Sequence, residues 1–216
     1  MVDVSSKFSQ VHDLSSTRDG SQIPTENTMT TLTTAPALAE LTGSWTIDPA
    51  HSRIGFVARH AMVTKVRGAF NEFEGSAVLD ASNPASSTAR ITIQAKSIDT
   101  RNGQRDEHLR SNDFFGTGDH PQLVFRSTRV EHIPGPTFRV HGDLTMKGIT
   151  RPVVLDATFN GSGVNPWGQT VASWSATTEI DREEWEMGFN AALETGGVLV
   201  GTRIKLSLEI EAAQQS

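Results

Sequence analysis

The chain has 216 residues, no cysteine, and a formal charge of -6 with a sequence pI near 5.6. That length suffices for one domain with a sizeable core. Disulfides, thiolate nucleophiles and Cys-held metals are excluded, and the acidic balance gives no global attraction to nucleic acid or an anionic membrane.

Residues 1–40 are rich in Ser, Thr, Ala and Gln without a steady apolar period. Such a stretch buries too little surface to offset its ordering entropy, so a flexible tail is expected there, with the folded domain over 41–213. Met29 offers a second candidate start. The first residues lack a basic start followed by an apolar run, and no stretch approaches a membrane-spanning helix. A cytoplasmic protein without stable membrane insertion is expected.

From Gly43 onward, short alternating segments follow one another. Ser44–Ile47 ends in the turn Asp48-Pro49-Ala50. Arg53–Arg59 puts Ile54, Phe56 and Ala58 on one face, and Val66–Leu79 reads as a long strand kinked near Asn71. Thr88–Ile98 alternates Ala89, Ile91, Ile93 and Ala95 with polar neighbours. Asn102–Asn112 breaks the pattern and predicts a helix, with Asn102 as cap and Asp106 placed to pair with Arg110. A short turn is expected over His60–Lys65.

Leu123–Glu131 and Phe138–Met146 flank Pro134-Gly135-Pro136, a hairpin signal. Val153–Asn160 places Val153, Leu155, Ala157 and Phe159 inward, and Gly161–Gly168 reads as a turn. Ala172–Ile180 aligns Ala172, Trp174, Ala176 and Ile180. The chain closes on Val198–Glu211, where Val200, Ile204, Leu206, Leu208 and Ile210 alternate with Arg203, Lys205, Ser207, Glu209 and Glu211. That two-residue period makes a strand with one apolar and one solvated face.

No strand alternates with a crossover helix, which argues against a parallel sheet. An antiparallel sheet with one apolar face must close or stack to hide it. An all-β antiparallel barrel with a short helix covering one mouth is expected, and a two-sheet sandwich is the alternative.

Four strings resemble the YceI-like family, described as polyisoprenoid-binding or lipocalin-like lipid-binding proteins. They are WTIDPAHSRIGFVARHAMVTKVRGAF (Trp45–Phe70), IDTRNGQRDEHLRSNDFF (Ile98–Phe115), HGDLTMKGITRPVVL (His141–Leu155) and FNAALETGGVLVG (Phe189–Gly201). The resemblance is colinear over roughly 43–213. It implies an eight-stranded, lipocalin-like barrel with an elongated apolar tunnel that holds isoprenoid chains, quinone precursors or fatty amides. Many such relatives carry a secretion signal, and this chain departs on that point. Glu186 also stands where relatives usually have glycine, and Thr202-Arg203 where they often have acidic residues.

The inward set mixes large residues with many small ones, including Ala58, Ala77, Ala89, Ala95, Gly142, Ala157, Ala172 and Ala176. Pattern alone allows either a packed bore or a cavity; the resemblance implies a ligand tunnel. A hydrocarbon tail suits such a bore, because each buried methylene contributes about 0.8 kcal/mol and needs no hydrogen bond. Leu109 and Phe115 are expected to point inward from the helix. Arg105 and His108, with His60 from the neighbouring loop, are candidates for a phosphate or carbonyl head group. The competing reading is that Arg105 and Asp106 fasten the helix to the barrel. Trp174, Trp185, Met187 and Phe189 are candidates for lining the tunnel or capping its other end, with ordinary packing as the alternative.

The seven histidines show no metal-binding spacing, and neither a nucleophile elbow nor a phosphate loop is present. Asp181-Arg182-Glu183-Glu184 reads as solvated surface. No catalytic residue, metal or cofactor is therefore expected, and basic residues are not interleaved with aromatics as nucleic-acid binding would require. The expected function is non-enzymatic storage or transport of an amphiphilic lipid, and a homodimer is left open. The alternatives are an enzyme using His60 or His108 on such a lipid, or a packed interaction module.

Overall fold

The computed structural model describes residues 38–61, 63–192 and 199–215. The expected tail lies outside them except for residues 38–40, which open a short 3-10 turn, Leu38–Leu41. The strands, in chain order, are β1 (Gly43–Ile47), β2 (Arg53–His60), β3 (Thr64–Phe70), β4 (Phe73–Leu79), β5 (Thr88–Gln94) and β6 (Ile98–Asp99). After the helix α1 (Gly103–Arg110) come β7 (Gln122–Ile133), β8 (Thr137–Met146), β9 (Ile149–Val164), β10 (Thr170–Asp181) and β11 (Val200–Gln214).

All pairings are antiparallel, and the sheet closes on itself. One edge of β11 pairs with β10; the other pairs with β2 through Leu206↔Phe56 and with β1 through Ala212↔Ile47. β1 and β2 are two halves of one bent stave, as are β3 with β4 and β5 with β6, because each half pairs with the matching half of its neighbour. Eight staves result. That closure, through β1 and β11, excludes the two-sheet sandwich, while β6 pairs only with the end of β3.

Each bend has a local cause. Pro49 cannot donate to the ladder, and the turn Pro49–His51 is capped by Asp48, whose carboxylate accepts from Ala50 N at 2.8 Å. Ser52 Oγ then accepts from Glu211 N at 2.9 Å, so the ladder resumes beyond the turn. β3 and β4 part at Asn71, near the expected kink. A 3-10 turn at Ala95–Ser97 separates β5 from β6, so Thr88–Ile98 is not one clean strand. The expected turn over Gly161–Gly168 is shorter than its glycines suggest: β9 continues to Val164, and Asn165 Oδ1 closes the hairpin by accepting from Trp167 N and Gln169 N.

The helix forms where it was expected, with Asn102 Oδ1 accepting from Arg105 N at 3.0 Å. The expected Asp106–Arg110 pair does not form. Asp106 turns inward, is buried, and accepts from Thr100 N at 2.9 Å and Thr100 Oγ1 at 2.5 Å. Arg110 instead meets Glu107 at 2.6 Å and donates to the Lys96 and Ile98 carbonyls.

α1 covers the barrel end that carries residues 61, 63, 101–121, 147–148 and 182–192. The opposite end carries the β4–β5, β7–β8 and β9–β10 turns. Buried apolar side chains form two groups among the described residues. The larger includes Phe70, Phe73, Ile91, Ile93, Phe125, Leu144, Leu155 and Trp185, with Leu109 and Phe115 packed against it from the α1 segment. The smaller, at the far end, consists of Leu41, Trp45, Phe159, Ala172 and Ala212, with Trp174 packed against it. Each large side chain so buried stabilises by about 1.5–3 kcal/mol.

Candidate ligand-binding site

Inward rows differ around the wall. On β5, β7 and β9 the residues Ile91, Ile93, Leu123, Phe125, Val153, Leu155 and Phe159 are buried. On the opposing wall Phe56 and Ala58 of β2, Trp174 and Ala176 of β10, and Ile204, Leu206 and Ile210 of β11 are only half-buried. Several of these pack against the larger group, so they face the interior. Half-burial along this row is what a bore left partly unfilled by its own side chains would produce.

Two glycines shape that space. A Cβ on Gly68 would lie 2.6 Å from Phe56 Cε1 and closer still to Cζ, and one on Gly142 would lie 2.5 Å from Phe125 Cε2. Gly68 is the register partner of Phe56. The Phe56 ring thus lies flat over a position where any other residue would push it toward the bore.

At the α1 end, His60 closes β2 beside Thr64 and Val200, and no hydrogen bond among the described residues involves its ring. Arg105 donates through Nε to Thr100 Oγ1 at 2.7 Å and through one Nη to Thr100 O at 2.8 Å. With Asp106 on the same threonine, these bonds tie α1 to β6. His108 Nε2 sits 2.8 Å from Asp113 Oδ2, and its ring meets Phe189 edge-on at 4.5 Å and Phe114 at 5.2 Å. Phe115 meets Phe70 edge-on at 5.7 Å, and Leu109 packs beside it in the larger group.

Trp174, Trp185, Met187 and Phe189 do not form one aromatic set. Trp185 is 0% exposed at the α1 end and donates Nε1–H to Leu144 O at 3.1 Å. Met187 and Phe189 sit with it. Trp174 lies at the far end, 5.7 Å from Trp45 and 5.7 Å from Phe159.

Arg182 is not solvated surface. It is 3% exposed, its guanidinium donates to the carbonyls of Met187, Gly201 and Val200, and it lies 5.8 Å from the Phe114 ring. Burial pushes its pKa down, opposed by Glu183 and Asp181. The signal was present in the pattern: Ala172, Trp174, Ala176, Thr178, Ile180 and Arg182 share one parity, so the next step of the alternation points inward.

Backbone strain collects at the same end. Among the described residues the four non-glycine positions with positive φ are Ala61 (49°), Arg101 (62°), Lys147 (51°) and Glu186 (56°), and each lies in a connection at the α1 end. Glu186 caps the turn Arg182–Trp185 in the left-handed conformation that glycine adopts freely, and Lys147 Nζ donates to its carbonyl at 3.0 Å. Such strain tends to gather at ligand-handling sites.

Among the described residues, one set of side chains could present metal-ligand atoms together: Asp48, His51 and Glu211, with ligand atoms within 4.8 Å of one another. Hydrogen bonding accounts for it. His51 Nδ1 is 2.7 Å from Asp48 Oδ2, a contact that raises the His51 pKa and lowers that of Asp48.

The geometry has counterparts. A family model described as the YceI-like domain matches residues 45–212. A UPF0312 protein of Staphylococcus epidermidis is 41% identical over 165 residues, covering 76% of this chain and 94% of its own. A UPF0312 protein of Staphylococcus aureus is 40% identical over 169 residues, covering 78% and 96%. Among solved structures, Burkholderia cenocepacia BcnA superposes with a TM-score of 0.68 at 22% identity, over 76% of this chain and 98% of its own. A polyisoprenoid binding domain from Saccharophagus degradans superposes at 0.57 with 12% identity, over 79% and 98%. With a matching family model over most of its length and relatives near 40% identity, this chain belongs to the YceI-like family.

Proposed function

We propose that this protein binds an amphiphilic lipid, with the hydrocarbon tail between β2, β10 and β11 and the polar head at the α1 end, and stores or shuttles it unchanged. The observation that carries the proposal is the half-buried inward row Phe56, Ala58, Ala176, Ile204, Leu206 and Ile210 inside a closed sheet. An apolar bore lined by such a row would offer a tail removal from water and little else. Ten methylenes would contribute about 8 kcal/mol, micromolar affinity before the ordering of the ligand is subtracted. An isoprenoid, an isoprenoid quinone or its precursor, and a fatty amide all fit that chemistry. The name of the Saccharophagus domain points the same way.

The head group has suitable partners at the rim. The His60 ring faces no described hydrogen-bond partner, Arg105 keeps one Nη beyond its two bonds to Thr100, and Arg182 places a positive charge beneath Phe114. A carbonyl or phosphate would be favoured there. Organic extraction of the purified protein followed by mass spectrometry tests the proposal. A near-stoichiometric amphiphile is expected; a reproducibly empty extract, from a protein that also fails to take up added lipid, would refute it.

A further inference from the structure

We propose that the outer face of β2, β3 and β11, beside the α1 end, docks on an anionic lipid surface. The proposal goes beyond the lipid-binding reading, because it rests on surface charge and needs nothing inside the barrel. Arg59 of β2, Lys65 and Arg67 of β3, and Arg203 and Lys205 of β11 are all exposed. Register brings them together. Arg59 stands directly opposite Lys65, and Val57 lies between Arg67 on one side and Lys205 on the other. Arg203 is the next outward residue from Lys205 toward the α1 end. Neighbouring strands lie about 4.8 Å apart and successive outward residues about 6.8 Å, so these cations share roughly 10 Å by 7 Å. That is close to the screening length of about 8 Å at physiological salt, so they act as one positive field.

Pairing partners are in excess, since the chain has 25 Asp and Glu against 19 Lys and Arg. Yet among the described residues the side chains of Arg59, Lys65, Arg67 and Lys205 enter no ion pair or hydrogen bond, and Arg203 has only Glu179 at 3.9 Å. Glu179 and Asp181, register partners of Lys205 and Arg203, border the patch on β10 and leave a surplus of three positive charges among the five cations. Asp99 and Arg101, beyond β3, offset each other, and Glu183 and Glu184 follow β10 on the side away from β3. Like charges directly opposite destabilise a sheet, so Arg59 facing Lys65 is a cost to folding that an external anion relieves. In a chain of formal charge -6, so local a surplus orients the molecule on an anionic surface.

Two observations favour a lipid surface over another polyanion. Val63 is 80% exposed in the turn between β2 and β3, next to Arg59 and Lys65, and an apolar tip flanked by cations suits the headgroup boundary of a bilayer. Among the described residues the patch also has no exposed aromatic ring on which a nucleic-acid base could stack. Docking by this face brings the α1 end, where the polar head is proposed to sit, to the bilayer.

Co-sedimentation of the full chain with sucrose-loaded vesicles tests this, comparing phosphatidylcholine alone with an equal mixture of phosphatidylcholine and phosphatidylglycerol. Each Lys or Arg near an anionic surface strengthens binding about fivefold, so the surplus should favour the mixed vesicles about a hundredfold, and about 1 M salt should abolish the preference. Lys65→Glu should weaken binding to the mixed vesicles about 25-fold, and Lys65→Gln about fivefold. Lys65→Glu should also unfold at higher urea, because it replaces a like-charged pair with an opposite one. Arg139→Glu makes the same charge change on β8, on the opposite side of the barrel, and should alter binding by less than about twofold. Val63→Ser should weaken it severalfold. No binding to either vesicle, equal binding to both, or equal losses in Lys65→Glu and Arg139→Glu would overturn the proposal. So would binding lost in Trp167→Ser, at the exposed far-end hairpin, or capture of polyglutamate or single-stranded DNA in place of the mixed vesicles. None of these results bears on the organic extract, so the proposed function stands or falls separately.

Discussion

Gly68→Ala should close part of the bore without dismantling the barrel. The new Cβ would sit 2.6 Å from Phe56 Cε1, closer still to Cζ, and 2.9 Å from Thr100 Cγ2. Carbon atoms pack at about 3.5–4.0 Å, so the ring must retreat by at least roughly 1 Å. Thr100 blocks one flank and the β3 backbone lies beneath, which leaves the interior as the open direction. Overpacking of this kind costs about 1–3 kcal/mol, less than the stability of a typical domain. The variant should therefore fold, unfold at lower urea, and carry less lipid, with circular dichroism, urea midpoints and mass-spectrometric loading as the readouts. Phe56→Leu in the Gly68→Ala background should restore loading by removing the displaced ring. A folded Gly68→Ala protein with unchanged loading, or with an unchanged urea midpoint, would refute the reasoning about where that ring lies.

Other expectations follow from the α1 end and the β1–β2 bend. Glu186→Gly should raise stability by about 0.5–1 kcal/mol, since glycine adopts the left-handed conformation without a steric penalty; urea unfolding checks it. Asp106→Ala strips Thr100 of both its acceptors and should cost about 1–3 kcal/mol, with faster amide exchange in α1 before the strands open. The His51–Asp48 contact should make the bend pH-sensitive. Because the His51 pKa is raised, its contribution is complete below about pH 6.5 and fades as pH rises through the raised value. Asp48 is lowered from 3.8, so its contribution is complete above that value and is lost as pH falls through the lowered one. The melting-temperature gap between the unaltered protein and His51→Ala should thus peak near about pH 5–6 and close at alkaline pH. A pH-independent gap would contradict it.

The strand rows could be read from the sequence because alternation reports which face a residue occupies. Val200–Gln214 and Thr170–Asp181 illustrate this. Alternation carries no axial height, however. Trp174 and Trp185 therefore read as one aromatic group, although the chain passes from one end of the barrel to the other between them. The break at Ala95–Ser97 was hidden because Ala95 keeps its inward place, fully buried, while the backbone tightens beneath it. The charged neighbours of Arg182 disguise its place, since Glu183 and Glu184 are exposed and it is not. The role of Gly68 depends on a ring from the neighbouring strand, a contact of register that no local pattern reports. Asn102, by contrast, announced its helix because capping is local chemistry.

A crystal structure of the protein loaded with a terminally brominated alkyl amide would test the central claim most directly. Anomalous scattering should place the bromine inside the barrel, between Phe56 and Trp174, with the amide at the α1 rim. Bromine found only on the outer surface, with Phe56, Leu206 and Ile210 closed against the opposite wall, would contradict it.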